Sequence, residues 1–120
     1  VKAVLVVDDD PAIFEILNDA LEEAGFCMLT ADSGPAALQL LSTEKPDLIL
    51  LDRGIPGCDG IDVLLQIRRD PRLWKTPVIM VTANRDIESV RLSRQAGASD
   101  YCIKPFKPQA VVERCLRLIC

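Results

Sequence analysis

Five times along this chain a short, almost unbroken apolar run is followed by a segment whose apolar residues recur at helical spacing. No other feature restricts the fold as tightly. A strand of four or five consecutive aliphatic residues presents apolar side chains on both faces, so both faces must be covered. Helices that alternate with such strands supply the cover. The product is a parallel sheet with helices on both sides.

The first run, residues 3–7, leads into Asp10-Pro11, an N-cap followed by proline at the first helical position. Ile13, Ile16, Leu17, Ala20, Leu21 and Ala24 then mark the inner face of a helix that Gly25 closes with positive φ. A second strand covers 26–30, and Gly34-Pro35 opens a helix with Ala37, Leu40 and Leu41 inward. The third strand is the run LILL at 48–51. A loop rich in glycine and proline follows, then a helix carrying Ile61, Leu64, Leu65 and Arg68 that ends near Asp70-Pro71. The fourth strand covers 78–81. The fourth helix, 86–96, turns only Ile87 and Val90 inward before Arg91, Arg94 and Gln95, and Gly97 stops it. So thin a seam has a plain reading, a solvated helix, and a sharper one, a loosely held element that can shift and meet a partner. A short strand at 101–103 precedes a last helix, opened by Pro108, with Val111, Val112, Cys115, Leu116 and Ile119 inward.

Right-handed crossovers leave few ways to connect five such units. The natural one is an α/β, flavodoxin-like, doubly wound five-stranded parallel sheet of order 2-1-3-4-5 with five helices. The most apolar strands, the first, third and fourth, belong at its centre. No linker, repeat or low-complexity stretch interrupts residues 1–120, which read as a single domain.

Composition removes several classes of function. A net charge of -4 gives no basis for a nucleic-acid footprint. No apolar run approaches the roughly 20 residues of a membrane span, and no signal peptide is visible. A start at Val1 without methionine is expected of a processed or trimmed piece. The five cysteines, Cys27, Cys58, Cys102, Cys115 and Cys120, form no C-x-x-C pair and read as reduced thiols of a cytoplasmic protein. The chain has no histidine. Histidine bases, Ser-His or Cys-His pairs and imidazole zinc sites are therefore absent, which leaves carboxylates, hydroxyls and lysine.

Ligands of doubly wound sheets bind beyond the carboxyl ends of the strands. There the first strand delivers Asp8, Asp9 and Asp10, the third Asp52, the fourth Thr82-Ala83 and the fifth Lys104-Pro105. Taken singly, each has a plain reading: a capping aspartate, a strand-end hydroxyl, a solvated lysine, and in Tyr101 a core aromatic. Together on one edge they describe a site. Adjacency of the first and third strands sets Asp52 beside Asp8 and Asp9, and such crowding calls for a positive partner. A hard divalent ion, best Mg2+, meets that need, while Asp10 serves as a helix cap. Lys104 reaches the same crevice on its long stem, and Thr82 adds a hydroxyl. This chemistry suits attack on phosphorus, with Asp52 as nucleophile and the metal and Lys104 offsetting charge on the phosphoryl oxygens.

The segments VLVVDDDP, LILLDRGIPGCDGIDVL, PVIMVTA and GASDYCIKPF resemble the receiver domain of two-component response regulators, over essentially the whole chain. The resemblance implies a phosphorylation-activated signalling switch of a phosphorelay rather than an enzyme proper, although such a domain catalyses its own phosphorylation and dephosphorylation. A histidine kinase or histidine phosphotransfer protein would supply the phosphoryl group to Asp52. Asp8 and Asp9 match the acidic pair that holds magnesium, with Asp9 the more direct ligand, and Asp52 and the backbone carbonyl of Gly54 complete the protein ligands. Thr82 matches the switch hydroxyl, Tyr101 the aromatic that turns inward with it, and Lys104 the phosphate-contacting lysine, followed by a cis bond to Pro105. The face made by the fourth helix, fifth strand and fifth helix would then change shape and control an effector of unspecified kind. Gly54 and Asn84, each two residues past a key position, match positions that in the family help set the acyl phosphate's lifetime. Ile55 replaces a common methionine, and Arg53 reads as solvated.

In one subgroup of the family that same face forms dimers through charge pairs. Asp100 and Arg114 resemble half of the pattern, and Ala110 stands where an acid is usual, so at most a weak homodimer is expected. Neither nucleic acid nor membrane is an expected partner of this domain. Three other readings fit these residues less well. A Mg-dependent phosphohydrolase with an aspartate nucleophile would use the D-x-D spacing of Asp8 and Asp10, but no cap domain is present. A flavodoxin-like cofactor binder needs a phosphate-cradling loop where this chain has three aspartates. A scaffold that no longer accepts phosphate would not need the intact set of Asp8, Asp9, Asp52, Thr82 and Lys104.

Overall fold

Covering both faces of the aliphatic runs decides the architecture. The computed structural model describes residues 1–120. Its elements are β1 (Lys2–Val7), α1 (Pro11–Glu23), β2 (Phe26–Ala31), α2 (Gly34–Leu41), β3 (Leu48–Leu51), α3 (Gly60–Arg69), β4 (Val78–Thr82), α4 (Ile87–Gln95), β5 (Asp100–Ile103) and α5 (Pro108–Ile119). All five strands join one parallel sheet in the order β2-β1-β3-β4-β5, as expected.

Alternate side chains along the strands enter two separate cores. Leu5, Val7, Ile49, Leu51, Val78 and Met80 pack with Ala37 and Leu41 of α2 and Val63, Leu64 and Ile67 of α3. Val4, Val6, Leu48, Leu50, Ile79 and Val81 pack with Leu17 and Leu21 of α1 and Val111, Val112 and Cys115 of α5. Each fully buried aliphatic side chain contributes about 1.5–3 kcal/mol, and every residue of β3 is buried.

Register then fixes the functional edge. Val7 lies beside Leu51, and Leu51 beside Met80. The ladder also runs one residue past the strands: Asp8 N donates to Ala31 O (3.1 Å), Asp52 N to Val7 O (3.0 Å) and Lys104 N to Thr82 O (2.9 Å). Strand pairing therefore pins the backbone of each of these residues.

Capping starts the helices where the sequence places them. Asp10 accepts from Ala12 N at 3.0 Å, Asp59 from Ile61 N at 2.9 Å and Asp86 from Glu88 N at 3.1 Å. The cap of α2 is Ser33, ahead of Gly34-Pro35. Gly25 closes α1 at φ 92°, where a side chain would be strained. All five cysteines are free, with Cys102 and Cys115 buried.

Four expectations about helix faces are corrected. Ile16 and Leu116 are exposed, because each lies about 100° around its helix from a fully buried neighbour, Leu17 and Cys115. In α3 the buried stripe is Val63, Leu64 and Ile67, with Ile61 and Leu65 only half-buried. The largest correction concerns α4. Ile87 is 76% exposed and Val90 is half-buried, while Ser89 and Ser93, one turn apart, form the buried stripe. Two serines fill little volume, and the Ser93 hydroxyl finds no hydrogen-bond partner.

Candidate functional site

Asp8 (2% exposed) and Asp52 (8% exposed) sit side by side at the carboxyl end of the sheet, with the exposed Asp9 next to them. One carboxylate oxygen from each of the three lies within 4.8 Å of the others. The Lys104 ammonium joins the two buried acids, donating to Asp8 Oδ2 at 2.5 Å and to Asp52 Oδ2 at 2.9 Å. The second oxygen of each is also held: Asp8 Oδ1 accepts from Asp10 N (2.9 Å) and Asp52 Oδ1 from Gly54 N (3.1 Å). Both carboxylates are thereby aimed, which side-chain entropy would otherwise oppose.

Burial by itself would lower the pKa of Lys104. Its hydrogen bonds to Asp8 and Asp52, and the charges of the same two acids, overturn that and leave it raised. The lysine is firmly cationic at neutral pH. Three carboxylates against one ammonium leave two negative charges in the crevice. An all-oxygen donor set with that excess charge fits a hard divalent cation such as Mg2+.

Thr82, 5% exposed, ends β4 on the same edge, and its Oγ1 accepts from Asn84 N at 3.4 Å. The Asn84 side chain turns toward α4, where Oδ1 accepts from Asp86 N (2.9 Å). Tyr101 is half-buried, with its hydroxyl donating to Asn84 O at 2.7 Å. A cavity of about 570 Å³ opens between the loop after β3 and the end of β4, lined by Arg53, Gly54, Asp59, Thr82 and Asn84 among others. At Gly54 a side chain would meet nothing within 4 Å. The Lys104-Pro105 bond is cis, as the resemblance implied. Asp10 stands apart from the three acids as the α1 cap. Asp100 and Arg114 pair with each other inside the chain, at 3.4 Å.

Sequence reasoning missed three residues. Arg53, read as solvated, is half-buried: its Nε lies 3.2 Å from both Asp59 oxygens and its Nη1 donates to Ser89 Oγ at 2.8 Å. Ser89 itself is 2% exposed and lies 3.2 Å from the Tyr101 hydroxyl. A search for apolar periodicity has no means of finding a polar residue on a buried face. Gly60 is the third. A Cβ there would stand 2.4 Å from Asp52 O, so only glycine lets α3 start against the acid-bearing loop. The run DRGIPGCDG carries that signal without showing which of its glycines is needed.

Residues 4–116 match the sequence profile of the response regulator receiver domain. The chain is 42% identical over 113 residues to the DNA-binding response regulator MtrA of Mycolicibacterium smegmatis, covering 94% of this chain and 48% of that protein. It is also 42% identical to the alkaline phosphatase synthesis transcriptional regulatory protein PhoP of Bacillus subtilis, covering 94% and 46%. The chain thus spans about half the length of these relatives. Among solved structures, the Francisella response regulator 1452 receiver domain superposes with a TM-score of 0.90 at 33% identity, covering 99% of this chain and 97% of that one. The Vibrio cholerae chemotaxis response regulator CheY4 does so with a TM-score of 0.91 at 27% identity, covering 98% of each. Sheet order, acidic edge and relatives agree, and the chain belongs to the receiver domain family of response regulators.

Proposed function

We propose that residues 1–120 form one receiver domain in which Asp52 accepts a phosphoryl group from a phosphohistidine of a histidine kinase or histidine phosphotransfer protein. The observation that carries this reading is the Lys104 ammonium bridging Asp8 and Asp52 at the sheet edge. A carboxylate oxygen of Asp52 attacks phosphorus, the bond from phosphorus to the donor's imidazole nitrogen breaks, and the imidazole leaves to take up a proton. Lys104, already within hydrogen-bond distance of Asp52, donates to a phosphoryl oxygen as charge develops there. Thr82 closes on another oxygen from β4, and Tyr101 of β5, whose hydroxyl already donates to Asn84 O, packs behind it.

Asp8, Asp9, Asp52 and the Gly54 carbonyl would hold Mg2+. Bound there, the ion offsets the charge gathered on the phosphoryl oxygens. Gly54 leaves one side of the acyl phosphate open to water and Asn84 borders the same cavity, so both tune its lifetime.

The output is a shift between two conformations of the face made by α4, β5 and α5, read by an effector. The DNA-binding relatives, about twice as long, support an effector that acts on DNA, while the net charge of -4 argues against DNA contact by this domain. Free thiols and a kinase donor support a cytoplasmic site of action. No helix is long and apolar enough to cross a membrane. A weak homodimer through the same face has less support, since Asp100 and Arg114 already satisfy each other within the chain. A phosphohydrolase reading is disfavoured by Asp10, whose carboxylate is engaged as a helix cap.

Incubation with acetyl phosphate and Mg2+, followed by intact mass measurement, tests the proposal. The wild type gains one phosphoryl group, Asp52→Asn gains none, and chelation of the metal suppresses the reaction. Labelling of Asp52→Asn at the wild-type rate refutes the assignment. Multiple-turnover hydrolysis of a phosphomonoester would favour the phosphohydrolase.

A further inference from the structure

We infer that Arg53 is a positioning residue for the switch: acting through Ser89, it holds the Tyr101 ring toward the loop between β4 and α4 and so couples α4 to the phosphorylation site. The inference rests on the assignment of Asp52 as acceptor, but its first test needs no phosphoryl group.

Chemistry fixes the direction of the chain of hydrogen bonds. A guanidinium only donates and a carbonyl only accepts. Arg53 Nη1 therefore donates to Ser89 Oγ (2.8 Å), and the Tyr101 hydroxyl donates to Asn84 O (2.7 Å). The one proton left for the 3.2 Å contact between the two hydroxyls is that of Ser89, donated to Tyr101. Every hydroxyl in the series both gives and receives. Its charged head polarises the rest, which strengthens such a series. Asn84 N then donates to Thr82 Oγ1 at 3.4 Å, which returns the path to the sheet edge beside Asp52.

Arg53 is held at both ends. Asp59, the α3 cap, grips Nε through both oxygens at 3.2 Å. The Arg53 backbone carbonyl accepts from Gly60 N at 2.9 Å. The guanidinium is thus anchored to the start of α3 and reaches across to α4. That helix has little else to fix it, since its buried stripe is Ser89 and Ser93, and Ser93 is unpartnered. Without Arg53, the Ser89 hydroxyl loses its only charged donor and Tyr101 loses the group that orders its partner.

Tyr101 is the only tyrosine in the chain, so 3-fluorotyrosine places one 19F label at one site. In the absence of phosphodonor, Arg53→Gln and Ser89→Ala are each expected to move that resonance toward the shift of exposed fluorotyrosine. Asp59→Asn moves it less, in the same direction. With acetyl phosphate and Mg2+, Arg53→Gln slows labelling of Asp52 roughly three- to tenfold, the size of one coupling interaction. The same change made in a Tyr101→Phe background slows it no further. An unmoved resonance in both Arg53→Gln and Ser89→Ala overturns the inference. So does an equal rate loss with and without the Tyr101 hydroxyl, which would assign Arg53 to stiffening α3 alone. Should Arg53→Gln fail to fold, Arg53→Lys and Ser89→Ala carry the same comparison. Absence of labelling in the wild type would defeat the acceptor assignment and leave the 19F result standing.

Discussion

β3 leads into Asp52 and α4 follows the loop after Thr82, and the two are built from opposite materials. β3 is four aliphatic residues, none more than 1% exposed, sealed on both faces by helices. α4 turns two serines inward and leaves Ile87 and Leu92 in solvent. Moving β3 would open two cores at once. Moving α4 exposes two hydroxyls that water can satisfy. On the function proposed above, the acceptor is carried on a floor that resists displacement, and the element proposed to respond is held by a few polar contacts that one charged ligand can outweigh.

Stability measurements offer the sharpest way to break this contrast. Leu50→Ala is expected to cost about 2–5 kcal/mol, the range for a large-to-small change in a packed core, read as a lowered denaturation midpoint with an unchanged slope. Gly60→Ala comes next: its Cβ forces the start of α3 away from the backbone of Asp52 and Arg53, so both stability and the rate of labelling by acetyl phosphate fall. Ser93→Ala is expected to be neutral or slightly stabilising, within about 0.5 kcal/mol, because it removes a buried hydroxyl without a partner. A loss at Ser93 as large as that at Leu50 would contradict the contrast.

Alkaline titration examines the charged crevice. Lys104 has a raised pKa in the folded state, so its stabilisation is full below the unfolded value of about 10.4 and is lost as pH rises through the folded value. Burial pushes the Cys115 thiol up to about 12, which acts in the same sense, since the unfolded thiol ionises first. Stability is therefore expected to be flat from neutral pH to the onset of thiol ionisation, then to fall, and Lys104→Met should shallow the part of that fall above about pH 10. The smallest effect belongs to the thiols under native conditions. Cys27 and Cys120 react with a thiol reagent at once, whereas Cys102 and Cys115 wait for unfolding.

The same contrast explains what was legible in the sequence. β1, β3 and β4 announce themselves because aliphatic runs have one physical use, and their order follows from short right-handed connections. The crevice was legible because strand ends in a parallel sheet share an edge, which gathers Asp8, Asp52, Thr82 and Lys104 without any knowledge of distance. The inner face of α4 is polar, so apolar spacing points to Ile87, which faces water. Arg53 escaped for a related reason. Its partners Asp59 and Ser89 lie on two other elements, and only the packing of α3 and α4 brings them together.

The central claim is that Asp52, and no other acid of the crevice, takes the phosphoryl group. Borohydride reduces an aspartyl phosphate to homoserine. Wild-type protein treated with acetyl phosphate and Mg2+, reduced and digested should show homoserine at position 52 by mass spectrometry. Homoserine at position 8 or 9, or at none of the three, would contradict the account.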